Sequence, residues 1–196
     1  MKKIETNLKD CYIIEPDLFG DDRGYFSPYF KIEDFQELGF KDAVQLNRSK
    51  SSKGVVRGLH FQEDPYCQAK VVEVIEGEAI DVVVDLRRDS ETYGKWTSVL
   101  LKPYSADDKE SGRQLFVPRG FAHGFVSLKD NTIFQYVVDN KYAPKAEGGI
   151  LWNDKEISIP WNEWFNKYGI DKPLLSEKDT VRDSLSKTLT LFRRNK

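Results

Sequence analysis

Hydrophobic and polar residues alternate with a period of two along the middle of the chain. Alternating or β-branched runs lie at residues 70–75, 79–86, 96–101, 114–117, 124–127 and 132–138. Glu76-Gly77-Glu78 separates the first two runs as a hairpin turn would. Because turn residues interrupt the runs about every 8–15 residues, the pattern predicts an all-β barrel or sandwich.

Helical patterns are confined to two short segments. Glu33–Leu38 ends at Gly39, and glycine is favoured directly after a helix C-terminus. Asp179–Leu191 follows Ser176, a residue type that is favoured at a helix N-terminus. The sequence therefore predicts short helices near the two ends of a β domain.

Composition limits the class of protein further. Of the 196 residues, 39% are hydrophobic and 13% aromatic, enough to bury a core, while no apolar run is long enough to span a membrane. The 30 basic and 32 acidic residues disfavour a nucleic-acid binder. The N-terminal residues show no apolar signal segment, which favours a cytoplasmic location. We expect one domain over residues 1–196, with a core at about 10–165 and a helical C-terminal part at about 176–192.

A turn motif near residue 120 leads to a histidine. The segment reads Gly112, five residues, Pro118-x-Gly120, two residues and His123. Pro118 suits the start of a tight turn and Gly120 its backbone angles. His123 would then open a strand, with its side chain facing either the interior or the outside. The segment resembles the second signature of cupin β-barrels, with Ser127 in place of a frequent asparagine.

The first cupin signature is incomplete here, which bears on metal binding. In metal-holding cupins it supplies His-x-His and a glutamate, whereas this chain has His60-Phe-Gln62, with Tyr66 or Cys67 in place of the glutamate. The chain contains only two histidines, and glutamine is a poor ligand for transition metals. We therefore expect neither a metal nor another cofactor, which disfavours a metal-dependent oxygenase.

A more extensive resemblance covers residues 10 to 190. Eight segments match one family in the same order along the chain. They are Val56-Arg57-Gly-Leu-His60-Phe-Gln62, Pro118-Arg-Gly-Phe-Ala-His123 and residues 15–26, 68–72, 85–96, 142–144, 149–154 and 175–179. The chain is similar to the dTDP-4-dehydrorhamnose 3,5-epimerase family, whose members are metal-free cupins. The resemblance implies a cupin-type β-barrel or jelly roll with short flanking helices, assembled as a homodimer.

The same resemblance implies an activity and an acid–base set. The family converts dTDP-4-dehydro-6-deoxy-D-glucose to dTDP-4-dehydro-L-rhamnose, in dTDP-L-rhamnose biosynthesis. Inverting C3 and C5 beside the C4 carbonyl requires a base, an acid on the opposite face and a cation at the enolate oxygen. By resemblance, the base is His60 paired with Asp179, the cation is Lys70 and the acid is Tyr136.

The resemblance further implies residues that bind the nucleotide diphosphate and the sugar. Arg23, Arg57 and Lys178 suit an anion, because charge-assisted hydrogen bonds are strong. Tyr142 is expected to stack on thymine. The remaining expected contacts are Phe26, Gln45, Asn47, His123 and Glu147.

The chain departs from the family pattern at three places. Pro28 stands where a glutamate ligand is usual, Val137 replaces a common lysine, and the loop at Asp107–Gly112 is somewhat enlarged. Two other functions stay open: a single-centre epimerase or ketoisomerase acting on a related deoxysugar nucleotide, and a non-catalytic cupin that binds a sugar nucleotide or carbohydrate. The intact acid–base set favours an enzyme.

Overall fold

Two antiparallel sheets dominate the molecule, which confirms the predicted all-β class. The computed structural model describes residues 1–188 and 192. The first sheet has the strand order β1 (Lys2–Glu5), β2 (Tyr12–Glu15), β10 (Gln114–Val117), β7 (Lys70–Glu76), β12 (Thr132–Val138) and β5 (Gln45–Ser51). The second has the order β13 (Glu147–Gly149), β6 (Val56–Gln62), β11 (Phe121–Ser127), β8 (Ala79–Asp85) and β9 (Trp96–Leu101). A separate hairpin consists of β3 (Phe19–Asp21) and β4 (Gly24–Phe26).

The described helices are short and differ partly from the prediction. The three α-helices are α1 (Ile32–Gln36), α2 (Trp161–Tyr168) and α3 (Glu177–Thr180), and 3-10 turns occur at Pro144–Ala146 and Leu185–Lys187. The first helix is confirmed, with earlier bounds than predicted. Sequence patterns missed α2, which ends at Gly169 in the left-handed conformation (φ 61°). No helix in the described part of the chain is long and apolar enough to cross a membrane.

The prediction of one continuous helix over Asp179–Leu191 is wrong within the described residues, although α3 and the 3-10 turn at Leu185–Lys187 both lie in the helical C-terminal part expected at about 176–192. The chain leaves the helical conformation after Thr180, because the backbone of Asp183 pairs with Ile150 and its carbonyl accepts a hydrogen bond from the Leu151 N–H. Backbone that is paired in this way cannot also form helical hydrogen bonds. Residues 189–191 of the predicted helix lie outside the described residues.

Three apolar clusters fix the layers of the fold. The cluster between the sheets contains Val83, Leu115 and Phe134, together with Phe125, whose ring stacks on that of Phe134 with centroids 4.2 Å apart. Trp161 and Phe165 of α2 cover the outer face of the second sheet. Phe35 of α1 and Phe40 cover the outer face of the first sheet. Strand residues therefore alternate between the interior and an outer cluster, which accounts for the period-two pattern of the sequence.

Strands β6 and β11 approach each other closely beside the two histidines. Gly58 has a φ of +131°, and a Cβ atom there would lie 2.6 Å from the Cα of Gly124. A Cβ on Gly124 would in turn lie 2.6 Å from the carbonyl oxygen of Arg57. His60 and His123 pair directly across these strands. His123 is the third residue of β11 rather than its first, and it faces the interior.

The stacked pair in the interior yields a prediction for stability. Phe134→Ala should lower the free energy of unfolding by about 3–5 kcal/mol, because it removes a fully buried ring and leaves a cavity beside Phe125. Urea denaturation measures the change. Val181→Ala is the matched control, since that side chain is 74% exposed and its loss should change stability by less than about 0.5 kcal/mol. Equal losses in the two variants would contradict this assignment of the interior.

Candidate active site

A cavity of about 420 Å³ opens between the two sheets. Its walls include the four predicted acid–base residues, His60, Lys70, Tyr136 and Asp179. They also include six predicted binding residues, Gln45, Asn47, Arg57, His123, Tyr142 and Glu147. Residues that are far apart in the sequence thus share one cavity, at the polar end of the interior.

A short hydrogen bond joins His60 to Asp179. His60 lies on β6 and Asp179 on α3, and Nε2 of the imidazole is 2.6 Å from Oδ1 of the carboxylate. The imidazole side chain is 35% exposed to the cavity, whereas Asp179 is 3% exposed. Because an ionised carboxylate can only accept, the shared proton lies on Nε2, and Nδ1 is left as the basic atom.

Asp179 is held ionised by its neighbours. Burial by itself would raise the pKa of Asp179, but the hydrogen bonds from His60 and Ser176 outweigh it and lower that pKa. The Ser176 hydroxyl donates to Oδ2 at 2.7 Å, so both carboxylate oxygens have partners. The carboxylate is therefore charged at neutral pH and can stabilise an imidazolium cation on His60.

Lys70 and Tyr136 lie together on the first sheet. The Lys70 Nζ atom is 5.9 Å from the centre of the Tyr136 ring. Burial lowers the pKa of Lys70 to about 8, partly opposed by the negative charge of Asp81. Burial also raises the pKa of Tyr136, so its phenol is protonated at neutral pH and can donate a proton. The two groups therefore present a cation and an acid to the same cavity.

A polar cluster surrounds Glu147 at the side of the cavity. The Tyr142 hydroxyl donates to Oε2 of Glu147 at 2.6 Å, and Nη2 of Arg182 donates to Oε1 at 2.8 Å. Lys178 is 71% exposed, with Nζ 3.7 Å from Oε1, and it stands beside the cavity rather than in its wall. Glu147 therefore fixes the Tyr142 ring that was predicted to stack on a base.

Gln62, which stands where metal-holding cupins have a second histidine, has a structural role. Its side-chain NH2 donates to the carbonyls of Tyr66 and Lys141 at 2.7 and 3.1 Å, and its oxygen accepts from the Ala143 N–H at 2.7 Å. The amide thus holds the loop that carries Tyr142. Within residues 1–188 and 192, no three His, Cys, Asp or Glu side chains gather as a metal site.

Three predicted binding residues line the edge of the cavity near β5 and β6. Gln45 and Asn47 point from β5, and the Gln45 amide donates to the Asn47 oxygen at 2.6 Å. Arg57 on β6 contacts the Ser51 hydroxyl through Nε at 3.3 Å, which leaves the rest of its guanidinium facing the cavity. Together these three side chains offer hydrogen-bond donors and one positive charge to the cavity.

Two predicted binding residues lie away from this cavity. Arg23 and Phe26 belong to the β3–β4 hairpin, where the Arg23 side chain is 90% exposed and pairs with Asp21. Phe26 is 68% exposed, and its neighbours Phe19 and Tyr25 are also exposed. Within one copy of the chain, the hairpin therefore does not reach the other site residues.

Sequence reasoning missed several polar residues of the site. Asp81 is fully buried on β8 and bonds to His123, Ser176 supports Asp179, and Arg182 supports Glu147. A signal was available for Asp81, since one carboxylate interrupts the apolar run of residues 79–84 and buried charges require partners. Ser176 and Arg182 carry no comparable signal, because serine and arginine are ordinary surface residues.

Comparison with known proteins finds related sequences and structures over nearly the whole chain. A family model described as dTDP-4-dehydrorhamnose 3,5-epimerase matches residues 5–187. The Shigella flexneri protein of that name is 48% identical over 181 residues, covering 91% of this chain and 93% of the relative. The Elizabethkingia anophelis enzyme structure aligns with a TM-score of 0.83 at 46% identity, covering 95% and 97% of the two chains. A Legionella pneumophila 3,5-epimerase bound to dTDP-4-keto-L-rhamnose aligns with a TM-score of 0.84 at 37% identity, covering 100% and 99%.

The charge of Asp179 yields a prediction for stability against pH. Because its pKa is lower in the folded state, its ionisation stabilises the fold above the unfolded-state pKa of about 4, and this contribution is lost as the pH falls through the lowered value. Asp179→Asn should therefore lower the free energy of unfolding at pH 6 by about 1–3 kcal/mol. The difference in free energy of unfolding between the variant and wild type should become smaller below a pH of about 4.

Urea denaturation across that pH range measures the gap. Asp42→Asn is the control, because Asp42 is exposed and its replacement should leave the stability curve unchanged. If the difference in free energy of unfolding between Asp179→Asn and wild type stayed constant down to acidic pH, His60 and Ser176 would not stabilise the ionised carboxylate.

Proposed function

The chain belongs to the dTDP-4-dehydrorhamnose 3,5-epimerase family, and we propose that its cavity inverts C3 and C5 of dTDP-4-dehydro-6-deoxy-D-glucose. The product would be dTDP-4-dehydro-L-rhamnose. The matched structures share the cupin-like β-fold that the sequence led us to expect. Family membership makes the chain an isomerase, so the alternative of a non-catalytic binding protein is set aside.

His60 is the proposed base. A proton on C3 or C5 is acidified by the adjacent C4 carbonyl, and Nδ1 of His60 is the basic nitrogen that faces the cavity. Accepting the proton creates an imidazolium, and the Asp179 carboxylate at 2.6 Å stabilises that charge while it holds the ring orientation. Proton removal leaves an enolate whose charge lies on the C4 oxygen.

Lys70 is the proposed partner of that oxygen. An ammonium held in a preorganised, partly enclosed site stabilises a developing oxyanion more than it would in water. The burial that lowers the pKa of Lys70 to about 8 still leaves most of the side chain charged at pH 7. The cation is therefore in place before the reaction starts, and no reorganisation is needed as charge develops.

Tyr136 is the proposed acid for the opposite face of the ring. His60 belongs to the second sheet and Tyr136 to the first, so the two residues approach the cavity from opposite walls. A sugar ring between the walls would present one face to each residue. This opposition of base and acid is the observation that carries the proposal, because inversion requires a proton to leave one face and return to the other.

One assay tests the reaction and its main alternative. The protein is incubated with dTDP-4-dehydro-6-deoxy-D-glucose in D2O, and NMR locates deuterium and configuration at C3 and C5. Deuterium with inversion at both carbons is expected. Inversion at one carbon only would replace the proposal by a single-centre epimerase, and movement of the carbonyl would replace it by a ketoisomerase.

Tyr136→Phe should separate proton exchange from inversion. The substitution keeps the ring but removes the donor, so His60 can still form the enolate and return a solvent proton to the same face. Recovered substrate should therefore gain deuterium, while the epimer forms more slowly by about 10²-fold or more. Deuterium content and epimer ratio are measured in one sample.

Tyr12→Phe is the control for this variant, because Tyr12 lies on the same sheet but packs in the outer cluster against α1. It should exchange and invert like wild type. Normal inversion by Tyr136→Phe would mean that another group or a water delivers the second proton.

The exposed hairpin supports a homodimer as the second part of the proposal. Arg23 and Phe26 match family positions that bind the nucleotide, yet they lie outside the cavity of their own chain. A second copy could receive them, since the hairpin exposes Phe19, Tyr25 and Phe26 together and buried apolar area stabilises association. We therefore assign Arg23 and Phe26 to the cavity of the partner copy.

Hybrid dimers test this assignment. His60→Ala removes the base, and Arg23→Ala weakens binding of the nucleotide, so each variant alone should be poorly active at low substrate concentration. In a co-expressed hybrid, the Arg23→Ala copy keeps its His60 and would receive an intact hairpin from its partner. One normal site per hybrid dimer is then restored, and activity should exceed that of either variant severalfold.

Differently tagged copies allow the hybrid to be isolated before the assay. His60→Ala paired with His60→Ala,Arg23→Ala serves as the control, since neither arrangement can restore a site. If the hybrid is no more active than the mean of the two parent variants, Arg23 either serves the cavity of its own chain or has no part in the activity.

A further inference from the structure

A second carboxylate–imidazole pair faces the cavity behind the first. Oδ1 of Asp81 lies 2.7 Å from Nε2 of His123, and both side chains are buried, with 0% and 7% exposure. Asp81 sits on β8 between two residues of the outer apolar cluster, Ile80 and Val82, so its own side chain points to the interior. Burying an ionisable side chain here costs free energy, so its presence points to a specific role.

The hydrogen bonding of Asp81 is incomplete. Among the described residues, Oδ2 is buried and has no hydrogen-bond partner. A single bond from His123 does not replace the hydration of a carboxylate. Burial raises the pKa of Asp81, and His123 opposes that rise, as does the positive charge of Lys70 on the opposite sheet.

We propose that Asp81 is a positioning residue, which orients the His123 imidazole with its proton on Nε2 and Nδ1 toward the cavity, and which provides the buried countercharge of the Lys70 ammonium. The inference rests on the proposed function, because that function gives Lys70 the enolate oxygen. It assigns Asp81 no contact with the substrate.

The action on His123 follows from the geometry of the pair. An ionised carboxylate accepts from Nε2–H, and Nδ1 is then an acceptor on a ring that lines the cavity. Burial lowers the pKa of His123, and this effect outweighs the charge and the hydrogen bond of Asp81, which raise that pKa. The net shift favours the neutral imidazole, which can accept a hydrogen bond from a sugar hydroxyl at Nδ1.

The action on Lys70 concerns its charge. Burial disfavours the ammonium, and Asp81 provides the largest opposing attraction, ahead of Cys67 and Glu147. A neutral amine would lack the positive charge that stabilises an enolate. The titratable and charged groups that face Lys70 from the elements around it are Arg57 and His60 on β6, Asp81 on β8, His123 on β11, Tyr136 on β12, Glu147 on β13, Asp179 on α3 and Cys67 before β7.

Asp81→Asn tests the inference with a side chain of the same shape. The amide oxygen can still accept from His123, but the countercharge is lost, so the pKa of Lys70 should fall by on the order of one unit. The variant's kcat/KM should then be close to that of wild type near pH 6 and about fivefold lower at pH 8, because the lowered pKa reduces the charged fraction of Lys70 near and above that pKa and hardly at all below it. A uniform loss at all pH values would overturn the inference.

Two NMR measurements do not depend on any substrate. Lysine labelled with ¹³C at Cε reports the titration of Lys70, whose resonance is the one missing in Lys70→Arg. The Lys70 midpoint should lie near 8 in the wild type and lower in Asp81→Asn. In wild-type protein labelled with ¹⁵N-histidine, only two imidazoles contribute. His123 should show a protonated Nε2 and an unprotonated Nδ1 from pH 6 to 8.

Glu73→Gln is the matched control. Glu73 lies on β7, the strand that carries Lys70, is similarly buried, and likewise has one oxygen without a partner in the described part of the chain, but its side chain faces away from the interior. It should leave both the Lys70 titration and the pH profile unchanged. An unchanged Lys70 midpoint in Asp81→Asn, or a His123 ring protonated on Nδ1, would overturn the inference. A wild-type protein inactive on the sugar nucleotide would contradict the proposed function instead, while the two titrations still decide the role of Asp81.

Discussion

The hydrogen bond between His60 and Asp179 joins two parts of the chain that are 119 residues apart, and the site depends on it. Asp179 lies on a helix of four residues, which is too short to be stable by itself. The segment is held instead at its two ends, where Leu174 bonds to the backbone of Gly54 and Val56 and Asp183 bonds to that of Leu151. The Asp179 carboxylate is thus positioned by β-type backbone contacts rather than by helix formation.

The interior of the fold divides into an apolar part and a charged part, and the division follows from the cost of burying charge. Phe125 and Phe134 stack in the apolar cluster at one end, and the Phe134 and His123 ring centroids are 6.0 Å apart where the two parts meet. At the other end the carboxylates of Asp81 and Asp179 each bond to Nε2 of a histidine. The two pairs differ in exposure, since about a third of the His60 side chain is exposed to the cavity whereas His123 is buried. The same chemical pair can therefore serve as a base in one place and as a fixed acceptor in the other.

Sequence patterns predict the strands of the barrel well and its helices poorly, for a physical reason. A strand packed between two layers requires side chains that alternate between them over many residues. Helix α3, by contrast, is held by tertiary contacts at its two ends. Helix α2 was missed although Gly169 stands at its C-terminus, because four of its eight residues are aromatic, a residue type that is also favoured in strands. The proposed acid–base residues were predicted only through the family resemblance. Lys70 and Tyr136 alternate with core residues and carry no local sign of the role proposed for them.

The charges around the cavity bear on how a nucleotide diphosphate could be held. Within the described cavity, Arg57 and Lys70 face the carboxylates of Glu147 and Asp179, and Asp81 lies just behind. Positive charge is therefore already matched by negative charge, and a diphosphate placed there would meet no surplus of cations. Binding it requires donors from outside the cavity wall. Lys178 is near, and the exposed Arg23 would be brought by a second copy, so the electrostatic balance of one chain gives the proposed dimer a function beyond stability.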